Sequence, residues 1–169
     1  MKRNGSPRPK TYSILVPLFV FSLLLFSSVS YAQSPANFSG VWIQDTVKSD
    51  DFYKSFQVKY TISQTPQTFT VKQTMTLRGS EETITNDYTY TLDGKVTTME
   101  KEGGKEKELA QWSADKKILT TRSTIIYGNE EVGFTETYSL SDNGLVLTAL
   151  KSNIIPGVPS VKQVFNKKQ

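Results

Sequence analysis

Residues Asn37 to Phe56 read NFSGVWIQDTVKSDDFYKSF, and the start of this stretch decides the fold. Phe38, Gly40 and Trp42 occupy alternate positions, so in an extended chain all three face the same side. An aromatic, a glycine and a tryptophan on one face of a first strand point to a small antiparallel β-barrel. After them, Ser49 to Ser55 allows one short helix, with Ser49 or Asp50 as its cap.

Downstream the period is two throughout. Phe69, Val71, Gln73, Met75 and Leu77 alternate with Thr70, Lys72, Thr74 and Thr76. Ile84, Asn86, Tyr88, Tyr90 and Leu92 alternate with Thr83, Thr85, Asp87, Thr89 and Thr91. Branched threonines on the polar face suit a pleated surface wet on one side. Turn signals recur at Asp93-Gly94, Gly103-Gly104, Ala114-Asp115-Lys116, Gly128-Asn129, Asp142-Asn143-Gly144 and Pro156-Gly157. They delimit about ten strands, 38–46, 55–64, 67–78, 82–92, 95–102, 105–113, 117–127, 131–140, 145–152 and 160–167, each expected to pair with the next. Twist curls so long a meander, and closure removes its edges. The expected fold is all-β, an antiparallel up-and-down barrel of 8–10 strands over residues 38–167, with at most one short helix after the first strand. A two-sheet sandwich fits the same pattern.

Upstream, residues 1–32 read as an export signal. Lys2, Arg3, Arg8 and Lys10 form an acid-free basic segment, Ile14 to Phe26 is apolar apart from Pro17 and Ser22, and Ser30-Tyr31-Ala32 offers a cleavage site. That core has 13 residues, short of the roughly 20 a membrane span needs. Cleavage after Ala32 leaves 137 residues, of which 33–37 form a short linker. The expected location is periplasmic or extracellular, with no transmembrane anchor after cleavage.

The leader takes four of the 20 basic residues, leaving 16 against 16 acids and no net charge. The basic stripe of a nucleic-acid binder is therefore missing. Cysteine and histidine are absent from the sequence. This removes Ser-His-Asp and Cys-His catalysis, thiolate chemistry, histidine-rich zinc sites and haem ligation by histidine. Nothing calls for a metal or a cofactor.

Phe38-x-Gly40-x-Trp42 followed by Lys48-Ser49-Asp50 resembles the opening of the lipocalin and fatty-acid-binding (calycin) group, and most closely of bacterial secreted lipocalin-like domains that begin F-S-G-x-W. Tyr90-x-Leu92-Asp93-Gly94-Lys95, Trp112-x-x-Asp115, the run from Tyr138 to Thr148 and Val164-Phe165-x-Lys167 extend the likeness over most of the chain. The resemblance implies a barrel able to hold a small hydrophobic or amphipathic ligand, its closed end plugged by Trp42 with Phe38 and Gly40. The segment after Trp42 is too short for a helical lid. The group's disulfide and the late arginine that caps its tryptophan have no match, the last strand offering Lys162, Lys167 and Lys168.

Candidate ligand residues lie in the middle hairpins. A turn centred on Gly128-Asn129 sets Arg122 opposite or next to Glu136, and a three-residue turn at 114–116 sets Trp112 beside Ile118 and Glu108 near Arg122. On one reading Arg122 is the barrel's polar anchor for a ligand carboxylate, with Glu136 beside it and Trp112, Tyr138 and Tyr88 as walls. On the other, Arg122 makes an outer-face ion pair with Glu136. Glu108 and Glu136 are the one carboxylate pair imaginable for acid catalysis, but an arginine between them would keep both ionised. No catalytic site is expected. The sequence thus describes an exported, non-catalytic ligand carrier or, alternatively, a solid barrel that binds a protein or envelope partner.

Overall fold

The computed structural model describes residues 34–101 and 104–169. The leader and part of the expected Gly103-Gly104 turn lie outside them. Among the described residues are ten strands: β1 Gly40–Gln44, β2 Phe56–Gln64, β3 Thr68–Leu77, β4 Thr83–Thr91, β5 Thr97–Lys101, β6 Gly104–Trp112, β7 Ile118–Tyr127, β8 Glu130–Leu140, β9 Val146–Asn153 and β10 Val161–Lys167. They form one antiparallel sheet in the order β4-β3-β2-β1-β10-β9-β8-β7-β6-β5. Pairing of β1 with β10 joins the two ends of the chain, and β4 approaches β6 across a seam. A single continuous sheet curled on itself is a nearly closed barrel and not a two-sheet sandwich.

The seam corrects one expectation. Asp93-Gly94 makes its turn, with Gly94 at φ 73°, but β4 and β5 do not pair around it. Asp93 Oδ1 accepts the Lys95 amide at 2.9 Å, and the flanking hydroxyls of Thr91 and Thr97 meet at 3.2 Å. The local turn chemistry is satisfied without a ladder behind it.

Among the described residues the only helical segment is the 3-10 turn Asp51–Tyr53, and none is long and apolar enough to cross a membrane. Asp50 holds the cap position without a side-chain capping bond. Ser49 and Asp50 act elsewhere: Ser49 Oγ accepts the Val164 amide at 3.0 Å and Asp50 Oδ2 the Lys162 amide at 2.8 Å. The loop after β1 is thereby laced to β10, and Gln44 holds the 3-10 turn by donating to the Tyr53 carbonyl at 3.1 Å.

One end of the barrel is packed solid. Phe38 and Trp42 are wholly buried, and the Trp42 indole N–H donates to the Phe38 carbonyl at 2.8 Å. Phe38 stacks on Trp112 at 5.9 Å and meets Phe69 edge-on at 6.0 Å, while Phe69 packs against Tyr138 at 5.0 Å. Aromatic groups of this size supply most of the apolar area such a plug withdraws from water. Lys167 takes the place for which no arginine was found: its Nζ lies 5.1 Å from the Trp42 ring. Gly40 makes room for it, since a Cβ there would stand 2.9 Å from Lys167 Cε, and its φ of 141° suits glycine alone.

Candidate functional site

Along the inner wall, burial changes from one end of the barrel to the other. On β3 the inward side chains run from buried Phe69, Val71 and Gln73 to half-buried Met75 and exposed Leu77. The same course appears from Tyr90 through Tyr88 to Ile84 on β4, and from Tyr138 through Phe134 to Val132 on β8. The last inward residues, Leu77, Ile84, Tyr127 and Val132, are 36% to 57% exposed. The end opposite Trp42 is therefore rimmed by exposed apolar side chains.

A polar cluster sits partway along this wall, below the aromatic plug. The Tyr60 hydroxyl lies 3.0 Å from Glu136 Oε1 and 2.9 Å from Gln163 Oε1, and accepts from Gln73 Nε2 at 3.2 Å. Asn86 Nδ2 extends the chain to Gln73 Oε1 at 3.3 Å. Tyr60, Gln73, Glu136 and Gln163 are all buried. Burial, and then the charge of Glu136, pushes the hydroxyls of Tyr60 and Tyr138 well above the ordinary phenol range. Lys151 is the cross-strand partner of Glu136, and its Nζ stands 3.6 Å over the Phe134 ring. Burial lowers the Lys151 pKa, and Glu136 opposes that fall.

A second acidic group lines β6. Glu108 is buried, and burial raises its carboxyl to about 7, with Glu106 adding to the rise and Lys101 opposing it. Glu106 is held by Lys101 at 3.2 Å and accepts from Ser123 Oγ at 3.4 Å.

The register redistributes the residues expected here. Gly128 and Asn129 form a two-residue loop between paired Tyr127 and Glu130, so Arg122 stands opposite Thr135, and Thr121 opposite Glu136. The shift of one residue puts Arg122 and Glu136 on opposite faces. Arg122 is exposed, pairs with Glu131 at 3.3 Å and borders an outer hollow with Val96, Lys107, Leu109 and Thr124. It is not the interior anchor, and its ion pair is not with Glu136. The turn after β6 is also one residue longer than expected, so Trp112 pairs with Leu119, and Glu108 with Ser123 instead of Arg122. With Arg122 outside, nothing of the kind expected holds Glu108 ionised.

Glu136 and Tyr138 lie on the inner wall, and Tyr88 on β4 meets Phe134 on β8 edge-on at 5.6 Å. Trp112 belongs to the plug with Phe38, Gly40 and Trp42. Tyr60, Gln163 and Lys151 were not anticipated. Gln73 and Asn86 carried a legible signal, since each is a polar residue on the inward phase of an otherwise apolar alternation.

No family model matches the chain, and no curated protein matches it. Solved structures do match. The chain is similar to the REP1-NXSQ fatty acid transporter at 12% identity and a TM-score of 0.52, over 78% of this chain and 96% of that one. It is similar to a Schistosoma mansoni fatty acid binding protein in complex with arachidonic acid at 11% identity and a TM-score of 0.50, over 78% and 96%. Secretory abundant heat soluble protein 4 of Ramazzottius varieornatus matches at 13% identity and a TM-score of 0.50, over 81% and 99%. The shared feature is the fold, a nearly closed antiparallel barrel of the lipocalin and fatty-acid-binding type.

Proposed function

We propose that this chain is an exported, non-catalytic carrier that takes a small amphipathic molecule into the open half of its barrel. The observation that carries the reading is the inner wall: sealed by aromatics at the Trp42 end, rimmed by exposed apolar side chains at the other, with buried polar side chains between them. A ligand's apolar body would lie against Met75, Tyr88, Met99 and Phe134 and its polar end at Tyr60, Glu136 and Gln163. Small-molecule sites typically combine an apolar lining with a few convergent polar groups. The likeness to a fatty acid transporter and to a fatty acid binding protein supports the reading. Export rests on the tripartite leader in residues 1–32, and the F-S-G-x-W opening supports kinship with bacterial lipocalin-like domains.

Native mass spectrometry tests both parts, on protein purified from its own host before and after organic extraction. The expected result is a 137-residue chain starting at Gln33 that carries a species lost on extraction. A bare chain that also takes up no apolar fluorophore would overturn the carrier reading and favour a solid barrel that binds a protein or envelope partner.

A further inference from the structure

Resting on the carrier reading, the deep polar cluster restricts the chemistry of the ligand's head. The Tyr60 hydroxyl has one proton and two acceptor oxygens within reach, Glu136 Oε1 at 3.0 Å and Gln163 Oε1 at 2.9 Å. One proton serves one acceptor. Either the phenol donates to Gln163 Oε1, or the Gln163 amide is turned so that its NH2 faces the phenol and the phenol donates to Glu136. In the first arrangement Gln163 Nε2 is a buried donor without a protein partner. In the second, Gln163 Oε1 is left as the open acceptor. Gln163 is 0% exposed, so its Nε2 has no bulk water to turn to.

The charges on this wall favour the same kind of ligand. Glu106, Glu108 and Glu136 face inward together with Lys101 and Lys151, while Arg122 lies on the outer face. Lys101 is engaged at the rim by Glu106, and Lys151 lies over the Phe134 ring. A ligand carboxylate would bring a further negative charge beside buried Glu136. A hydroxyl can donate its one proton to Glu136 while accepting from the Gln163 NH2, or donate it instead to Gln163 Oε1. A protonated amine can donate to Glu136 and to Gln163 Oε1.

We propose that the barrel selects an amphipath with a hydrogen-bond-donating head, an alcohol or an amine, and discriminates against the matching carboxylate. The head would sit at Glu136 and Gln163 with its chain directed to the mouth.

The test is displacement of N-phenyl-1-naphthylamine from the mature protein by dodecanol, dodecylamine and dodecanoate below their micellar concentrations. The expected result is that the alcohol or the amine displaces the probe at concentrations about tenfold lower than the carboxylate. A stronger amine assigns the selection to the Glu136 charge, and a stronger alcohol assigns it to the Gln163 amide. Glu136→Gln should narrow the gap between amine and carboxylate. The series on the unaltered protein decides the matter even if that variant fails to fold. Equal or stronger displacement by dodecanoate overturns the donor-head assignment and leaves the carrier standing. Absence of uptake of the probe and of all three amphipaths overturns both.

Discussion

Tyr60 on β2 and Glu136 on β8 are hydrogen-bonded at 3.0 Å, although β2 and β8 are not neighbours in the sheet. The bond crosses the barrel interior and ties opposite walls at the depth where apolar packing ends. Its partners are buried, so removing one leaves the others unpaired, which costs more than the bond itself contributes.

Tyr60→Phe keeps the ring against Phe165, 4.4 Å away, and deletes the hydroxyl shared by Glu136, Gln163 and Gln73. A loss of about 1–3 kcal/mol in urea-unfolding free energy is expected. A change below the error of that measurement would mean that the cluster is satisfied by other groups.

Gly40→Ala places a Cβ 2.9 Å from Lys167 Cε at a backbone φ of 141°. The Lys167 stem must move off the Trp42 ring, and the alanine is strained. Destabilisation of about 1–3 kcal/mol is expected. Lys167→Met, which keeps the stem and deletes the charge, should cost about 0.5–1 kcal/mol. Thermal melts of the two variants separate backbone strain from the cation–π contact.

Glu108 titrates near neutrality, its carboxyl raised from 4.5 to about 7 by burial and Glu106. The folded state holds the proton more tightly than the unfolded one. Its stabilising contribution is complete below about pH 4.5 and is lost as pH rises through about 7. The native protein should thus lose stability between about pH 5 and 8, by an amount on the order of 2 kcal/mol from this group. Glu108→Gln should flatten the curve over that window. Unchanged pH dependence in the variant would place the titration elsewhere.

Arg122→Ala removes a half-exposed ion pair with Glu131 on the outer wall. The expected change is within about 0.5 kcal/mol, with probe uptake unaltered. Loss of uptake in a folded Arg122→Ala protein would show that the outer hollow is part of the binding site.

Much of the fold was legible because its causes are local. Alternation along Phe69 to Leu77 and Ile84 to Leu92 sets which side chains share a face, and glycine-bearing turns mark where strands end. The shared face of Phe38, Gly40 and Trp42 was legible for the same reason, and their role as a plug was what the resemblance implied. Register is not local in this way. A two-residue loop at Gly128-Asn129 and one further residue in the turn after β6 decided that Arg122 faces out while Glu136 and Glu108 face in, because a shift of one turns every side chain over.

The sequence by itself determined an all-β chain of about ten strands, the pairing of most neighbours, and the shared face of Phe38, Gly40 and Trp42. Only the tertiary structure decided that β4 and β5 part at the seam and that burial along the inner wall falls from the Trp42 end to the other. It alone brought Tyr60, Glu136 and Gln163 together, from positions 76 and 103 residues apart in the chain. Contacts across a barrel depend on curvature accumulated over all its strands, and no short stretch of residues encodes that sum.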